Sequence, residues 1–454
     1  MKQTWPAGLN ADELAREYTE WMQERWNHPC VVIWDAQNET TTEETGKAIQ
    51  RVRGLDLSNR PWDNGWAPAQ APGDCFESHP YLFQNPNFKL ADVARVAGVP
   101  GGNVIPNAGT NAIVINEYGW LWLNRDGTPT TLTKQVYENL LGPNSTVAER
   151  RHLYARYLAA KTEFWRCHRA GAGVLHFCGL GYSRPDGQTS DHWLDLEKLT
   201  YEPEFYRYVR DAFAPVGLMI DEWADELPPG QGRSVRVVVI NDLYQDWKGA
   251  VRFRLLQGPK VLAEQTQPCE VLALGDARLT FHLPVPSAPG RYQLEAALVK
   301  RGEKPVRSLR DFQVLTREQK EARDGIAVGK PVKPSSVLTK DGVTYRAEFA
   351  ADGDRGTRWS SEFSDPQWLA IDLGTPTEIS RIELLWEAAF SREYAIQVSL
   401  DGADWKAVYS TDRGAGGTEM IRFPPVTARW VRTHGARRAT EFGYSLWEMR
   451  VFPR

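Results

Sequence analysis

The sequence predicts a multidomain protein in which an α/β part built on a parallel sheet is followed by two all-β domains. Three observations lead there. A chain of 454 residues is too long for one ordinary core and has room for about three domains. Residues 1–215 alternate helical and strand signals, the pattern of parallel α/β structure. Beyond residue 216 the strand signals recur at short spacing between Gly and Pro turns, with one charged interruption.

Taken in order, "ADELAREYTEWMQERW" has apolar residues at helical spacing and is stopped by Asn27-His28-Pro29. The apolar run Val31-Val32-Ile33-Trp34 follows and opens into Asp35, Gln37, Asn38 and Glu39, as a buried strand does when its end reaches a polar site. Next come a helix-like "TTEETGKAIQRVRGL", a strand ending near "LSNRPW", the strand-like "DCFESHPY" and "NAIVINEYG", a long helix "VAERRHLYARYLAAKTEFWRCHRA", and a last strand "GVLHFCGLGY". Uninterrupted apolar strands such as "AIVI" suit a sheet covered on both faces. Residues 216–316, with "VRVVVIND", "AVRFRLL", "ARLTFHLPV" and "YQLEAALV", read as an immunoglobulin-like β-sandwich in a spacer role. The stretch "TREQKEARDG" gives a linker over 317–326, and 327–454 reads as a second all-β domain.

Composition narrows the function. A formal net charge of −4 offers no basic excess for nucleic acid or an anionic membrane. No apolar run reaches the roughly 20 residues that span a bilayer. "MKQTWPAGLNADELAREYTE" has no signal-peptide core, so as written the chain is expected to stay in the cytoplasm. Cys30, Cys75, Cys167, Cys178 and Cys269 are odd in number and widely spaced, which favours buried free thiols over disulfides or a zinc site. The 18 tryptophans fit either dense cores or surfaces that stack on sugar rings. Asn38-Glu39-Thr40 and Asn144-Ser145-Thr146 match the glycosylation triplet, a pattern that arises often by chance. His176 and His192 lack metal-ligand spacing and are expected to be ordinary hydrogen-bonding residues.

Two strands end in a glutamate, Glu39 and Glu117. Facing carboxylates at the C-terminal ends of barrel strands are the minimum equipment for glycoside hydrolysis, one protonated to donate and one ionised to attack. "RWNHPCVVIWDAQNE" resembles the Arg-x-x-Asn-His-Pro, strand, Asn-Glu segment of glycoside hydrolase family 2, a family of retaining enzymes on (β/α)₈ barrels. The resemblance implies that Glu39 ends the fourth barrel strand as general acid/base, with Asn38 directed at the sugar 2-hydroxyl. "IVINEYG" resembles the seventh strand and implies Glu117 as nucleophile, with Tyr118 beside it. "HPY" resembles the sixth-strand motif, placing His79 and Tyr81 at the pocket, and "RPWDNGW" adds Trp62, Asp63 and Trp66 as substrate contacts. No metal or organic cofactor is required for this chemistry. The sequence departs from the family at Phe177, where Trp is usual, and at Asp35, Ala36 and Gln37.

On this reading the chain holds strands four to eight of a partial TIM barrel. The first three strands would come from an absent upstream piece or a partner chain; alternatively a degenerate open domain binds sugar without cleaving it. An intact relative is expected to be secreted or periplasmic.

The segment "AADGDRGTRWSS … QWLAIDLG … IELLWEAAFSREYAIQVSLDGADW … RWVRTHGARRATEFGYSLWEMRVF" resembles the discoidin fold, a jelly-roll β-sandwich. This is the factor V/VIII type C domain, known in carbohydrate enzymes as the family 32 carbohydrate-binding module. Asp352, Asp354 and Thr357 offer oxygen ligands for a hard cation such as calcium, and the resemblance adds Glu448. Trp359, Trp368 and Trp447 are expected in the core. Sugar-contact candidates are Glu387, Phe390, Arg392, Arg437 and Tyr444. The partner implied is a carbohydrate glycan.

Overall fold

A computed structural model describes residues 9–98 and 111–454, which divide into two compact units, Met1–Val314 and Leu315–Arg454. "MKQTWPAG" lies outside the described residues.

In the first unit five short parallel strands, β1 (Trp34–Asp35), β2 (Trp62–Asp63), β3 (Cys75–Ser78), β4 (Ala112–Ile115) and β5 (Gly173–Val174), pair in chain order. Strand order without a reversal is the connectivity of a singly wound wall rather than of a doubly wound sheet. The helices begin where the sequence supplies caps. Asn10 accepts from the Asp12 and Glu13 N–H groups to start α1 (Ala11–Arg25), and Thr42 caps α2 (Glu43–Val52). These two helices cover Trp34 and Trp62 with Leu14, Met22, Ile49 and Val52.

Helix α3 (Lys134–Leu141) precedes α4 (Val147–His168), which opens with a reciprocal Thr146–Glu149 capping box. α4 is buried along most of its last four turns, against Ile115, Tyr118 and Leu121. A hairpin of β6 (Trp193–Asp195) and β7 (Thr200–Tyr201) leads to α5 (Pro203–Ala212).

Two expected strands are shorter than their apolar runs. Val31–Ile33 precede β1, and Val32 is 66% exposed. The reason is local: among the described residues β1 pairs on one side only, through two residues, so no second neighbour extends it. In "GVLHFCGLGY" only Gly173–Val174 pair, and Leu175 and Leu180 are exposed.

The same unit continues into a β-sandwich. β8 (Val216–Asp221), β9 (Gly232–Asn241) and β12 (Asp276–Pro284) form one sheet. β10 (Trp247–Gln257), β11 (Lys260–Val271), β13 (Gly290–Val299) and β14 (Val306–Val314) form the other. First, second and fifth strands on one side, the remainder on the other, is a Greek-key partition around Val237, Phe253, Phe281 and Leu294. A buried ion pair ties this sandwich to α4: Arg310 of β14 donates to Glu163 at 2.7 Å, and the Ser308 hydroxyl donates to the same oxygen at 2.7 Å. Removing one partner would strand a buried charge at a cost of about 3–5 kcal/mol.

The second unit starts with α6 (Arg317–Asp324), closed by a Thr316–Gln319 capping box, so the charged segment expected as a linker is largely helical. β15 (Val332–Pro334) and a small hairpin, β16 (Thr339–Lys340) with β17 (Val343–Thr344), precede the main strands. These are β18 (Trp359–Ser360), β19 (Gln367–Trp386), β20 (Ser391–Ser399), β21 (Lys406–Thr411), β22 (Thr418–Arg438) and β23 (Ser445–Pro453). β19 pairs with β22 along its length, but with β15 in its first half and β23 in its second, the register breaking between Asp372 and Thr377. Trp359, Leu369, Ile371, Ile382, Ile396 and Val451 fill the core. Trp359 is core as expected. Trp368 and Trp447 are only half-buried, because alternation turns Trp368 to the outer face, where Arg432 covers it at 5.8 Å.

Candidate functional site

The C-terminal ends of the parallel strands bring a set of carboxylates around one histidine. Glu77 and His79 are two residues apart on and just after β3, so the pleat turns both to the same side. The His79 side chain is 1% exposed. Its Nδ1 lies 2.6 Å from Glu39 Oε1 and 3.5 Å from Glu117 Oε2, while its Nε2 faces Glu77 Oε2 at 3.2 Å. Oxygens of Glu39 and Glu117 lie within 4.8 Å of each other. Glu77, fully buried, accepts from the Glu39 N–H at 3.0 Å and from Asn116 Nδ2 at 3.1 Å. Glu77 thereby links the loop carrying one glutamate to the residue preceding the other. Glu39 adopts φ 50°, a left-handed conformation uncommon for a side chain of its size.

The electrostatics follow from this crowding. Burial raises the Glu117 carboxyl above its ordinary range, opposed by the Tyr81 hydroxyl, which donates to Glu117 Oε2 at 2.5 Å, and by His79. Burial lowers the His79 imidazolium, but the Glu77 carboxylate beside its Nε2 and the Glu117 charge outweigh it and hold His79 at about 9. Asp63, at the end of β2, is pushed up to about 8 by burial and then by the charges of Glu77 and Asp35. The result is a site of mixed protonation in which an acid and an ionised carboxylate can coexist.

Of the residues expected here, Glu39, Glu117, His79 and Tyr81 are in mutual contact, and Trp66 stands beside His79 at a ring separation of 6.3 Å. Asp63 joins them electrostatically. Three expectations are corrected. Trp62 is 1% exposed and points to the other side of the sheet, against Trp34 and Tyr18. Tyr118 is fully buried with its hydroxyl on Thr162 Oγ1 at 2.6 Å, because its position next to Glu117 turns it into the α4 core. Asn38 is exposed on the rim, and the asparagine that touches the cluster is Asn116.

Glu77 was missed, although its two-residue offset from His79 was a readable signal. So were Trp120 and Trp122, which extend an aromatic wall from Tyr81 at ring separations of 5.0 and 5.7 Å and reach Phe177 at 5.9 Å. His176 and His192 pack against aromatic rings, His192 stacking on Phe205 at 3.6 Å, and neither Nε2 has a hydrogen-bond partner. Cys30 is exposed, while the other four cysteines are buried; all five are free thiols.

The second unit has its own acidic loop. Asp352 accepts from the Asp354 N–H at 2.8 Å and from the Thr357 hydroxyl at 2.7 Å, with Gly353 between them at φ 81°. Glu448 is 1% exposed, neither of its carboxylate oxygens has a hydrogen-bond partner, and burial followed by the Asp352 charge pushes it up to about 8. Orphaned buried carboxylate oxygens next to a second carboxylate suit a hard cation, so these residues fit the calcium expected of them. Separately, Glu387 and Tyr444 line a cleft of 290 Å³ with Tyr345, Arg358, Phe363 and Phe442. The Tyr444 ring is buried, with its hydroxyl on Asp365, so it walls the cleft rather than offering a stacking face. Arg392 and Arg437 are exposed and Phe390 packs on the core, all outside that cleft.

The family model of the F5/8 type C domain matches residues 332–449. The C-terminal unit is an F5/8 type C domain. Among solved structures it is similar to chitosan-binding module 1 of a chitosanase/glucanase from Paenibacillus sp. IK-5, with 41% identity, 28% of this chain, 98% of that chain and a TM-score of 0.27. Module 2 of the same enzyme, solved in complex with chitotriose, matches with 40% identity over 28% of this chain and 98% of that one, TM-score 0.27. Among curated proteins, the polysaccharide lyase 8 family protein HylA of Enterococcus faecalis is 41% identical over 91 residues, 19% of this chain. The match spans 7% of the length of that relative.

Proposed function

We propose that the chain is part of a retaining glycoside hydrolase whose F5/8 type C domain holds the enzyme on a glycan. The observation that supports this most is the approach of Glu39 and Glu117 to within 4.8 Å beyond the ends of the first and fourth of five parallel strands. Retaining enzymes need their two carboxyl groups about 5–5.5 Å apart, whereas inverting ones hold them about 6.5–9.5 Å apart.

In this reading the Glu117 carboxylate attacks the anomeric carbon while the bond from that carbon to the leaving oxygen breaks. The proton goes from Glu39 to the leaving oxygen, giving a glycosyl ester on Glu117. Water then attacks the same carbon, its proton returns to Glu39, and Glu117 leaves as carboxylate. Tyr81 orients Glu117 through its hydroxyl, and His79 is the proton reservoir in contact with Glu39. Trp66, Tyr81 and Trp120, none of them fully buried, supply the apolar faces that a pyranose ring stacks on, with the buried Trp122 packed behind them. In the second unit Asp352, Asp354, Thr357 and Glu448 would hold a structural calcium ion, and the Glu387–Tyr345–Phe442 cleft would take sugar.

The test is covalent trapping. A 2-deoxy-2-fluoro aryl glycoside is expected to release its aryl group once per chain and to leave a sugar on the peptide containing Glu117, read by mass spectrometry. Labelling elsewhere, or none with any epimer, would count against the reading. A second reading, sugar binding without turnover, is favoured by one observation: Glu39 follows a two-residue strand that, among the described residues, pairs on one side only. It predicts glycan binding with no aryl release.

A further inference from the structure

The strand ends of the first unit also meet the requirements of a transition-metal site. We infer that Glu39, His79 and Glu117 bind a zinc-class divalent ion in competition with sugar chemistry. Three donor atoms, one from each residue, lie within 4.8 Å of one another, the two histidine contacts being 2.6 and 3.5 Å. Zinc bonds imidazole nitrogen and carboxylate oxygen at about 2.0–2.2 Å, which in a tetrahedron sets ligand atoms about 3.3–3.6 Å apart. The His79–Glu117 contact falls inside that spacing, while the His79–Glu39 contact is shorter and must open by about 0.7 Å to admit the ion. The adjustment falls on Glu39, whose side chain is 32% exposed and the freest of the three.

The ligand set matches the chemistry of such ions. Neutral imidazole selects zinc, copper or nickel over calcium and magnesium, so binding displaces the proton on His79 Nδ1, and two carboxylates neutralise the dication. One histidine and two glutamates leave the fourth position of a tetrahedral ion to water.

The supporting shell is present as well. A metal-bound histidine is oriented by a carboxylate on its other ring nitrogen. Here Nδ1 faces the two glutamates, while Nε2, buried and without a protein hydrogen bond of good geometry, faces Glu77 at 3.2 Å. Glu77 is itself fixed by Asn116 and by the Glu39 backbone N–H. Buried groups oriented in this way are costly for a surface cluster of carboxylates but are what an ion-binding histidine requires.

An ion held there would occupy the space of the anomeric carbon and tie up both glutamates. The metal-bound form is therefore an inhibited form, and the inference stands on donor geometry whether or not the chain turns sugar over.

The test is zinc titration of the full chain by calorimetry, after removal of metals and in saturating calcium to fill the Asp352 loop. One zinc per chain is expected in the micromolar range, weakened at least tenfold by His79→Gln and by Glu117→Gln but unchanged by the distant Glu197→Gln. Cobalt in place of zinc is expected to give the visible absorption of a four-coordinate site, lost in the same two variants. Should His79→Gln fail to fold, Glu117→Gln alone decides. No binding by the wild-type chain, or equal affinity in wild type and Glu117→Gln, would overturn the inference.

Discussion

The two units use buried carboxylates in opposite ways. In the second unit Glu448 is a buried acid with orphaned oxygens next to one acidic loop, and the buried Asp372 is paired separately with Arg429. In the first, Glu39, Glu77 and Glu117 meet around the buried His79, with Asp63 coupled to them through charge, at the open ends of five strands that pair through only one to four residues each. The first arrangement serves a static role, since a lone buried carboxylate asks for one fixed counter-charge. The second spreads protons over several groups of differing affinity, which is the arrangement acid–base chemistry needs. The comparison teaches that the number of carboxylates matters less than whether they share a proton.

The largest effect that would sharpen the contrast is on turnover. Glu117→Gln is expected to bring aryl glycoside hydrolysis to background. Glu39→Gln should cost about 10²–10⁴-fold on substrates with poor leaving groups, and far less where the leaving group needs no proton. Glu448→Gln, a change of the same kind in the other unit, should leave turnover of a small soluble substrate unchanged. Steady-state kinetics on the three variants checks this, and a large loss in Glu448→Gln would break the comparison.

Next in size is packing. Trp359 is 1% exposed in the second core, with its indole N–H on the Ser336 carbonyl at 3.0 Å. Trp359→Ala is expected to destabilise that unit by about 3–5 kcal/mol. Denaturant unfolding should register it in one transition only, with the transition of Met1–Val314 unmoved.

Calcium gives a smaller effect. If Glu448 and the Asp352 loop hold an ion, calcium at 100 times its dissociation constant should stabilise the second unit by about 2.7 kcal/mol. Glu448→Gln should abolish that gain while raising the calcium-free stability, because an uncompensated buried carboxylate is removed. A melting temperature that rises equally with calcium in both proteins would count against the site.

How much of this was legible in the sequence differed between the same two regions. The C-terminal domain was readable because its motifs are contiguous and its strands are long: β19 and β22 run for 20 and 21 residues. The parallel sheet of the first unit offered strands of two to four residues, so apolar runs overstated them, and Val32 and Leu175 are exposed. Glu39 and Glu117 could be picked out because each follows an apolar run, and His79 and Tyr81 through the resemblance carried by "HPY". Trp62 and Tyr118 could not be assigned to a face, since a strand of two residues carries no alternation to read. Glu77 was hidden by being a carboxylate inside a buried strand, where an unpaired charge is not expected. Its partners come from residues distant in sequence, Asn116 and the Glu39 backbone.

The smallest predicted effect is the dependence of stability on pH, and it separates the members of the cluster. Asp63 is held at about 8 in the folded protein, against roughly 3.9 for an unfolded aspartate. Between those values the folded state keeps a proton that the unfolded state has lost, so raising the pH favours unfolding. From pH 5 to pH 6.5 one such proton removes about 2 kcal/mol from the first unit, at about 1.4 kcal/mol per pH unit. His79 is silent in that window, because it is protonated in both states below about 6.5. With a folded value of about 9, its stabilising contribution is full below pH 6.5 and is lost only as the pH climbs toward 9. Asp63→Asn should therefore flatten the slope between pH 5 and 6.5, and His79→Gln should flatten the part above it. Chemical denaturation at four or five pH values distinguishes the two. If Asp63→Asn leaves the lower slope intact, the proton belongs to another carboxylate of the cluster, and Asp63 drops out of the acid–base set while Glu39 and Glu117 remain in it.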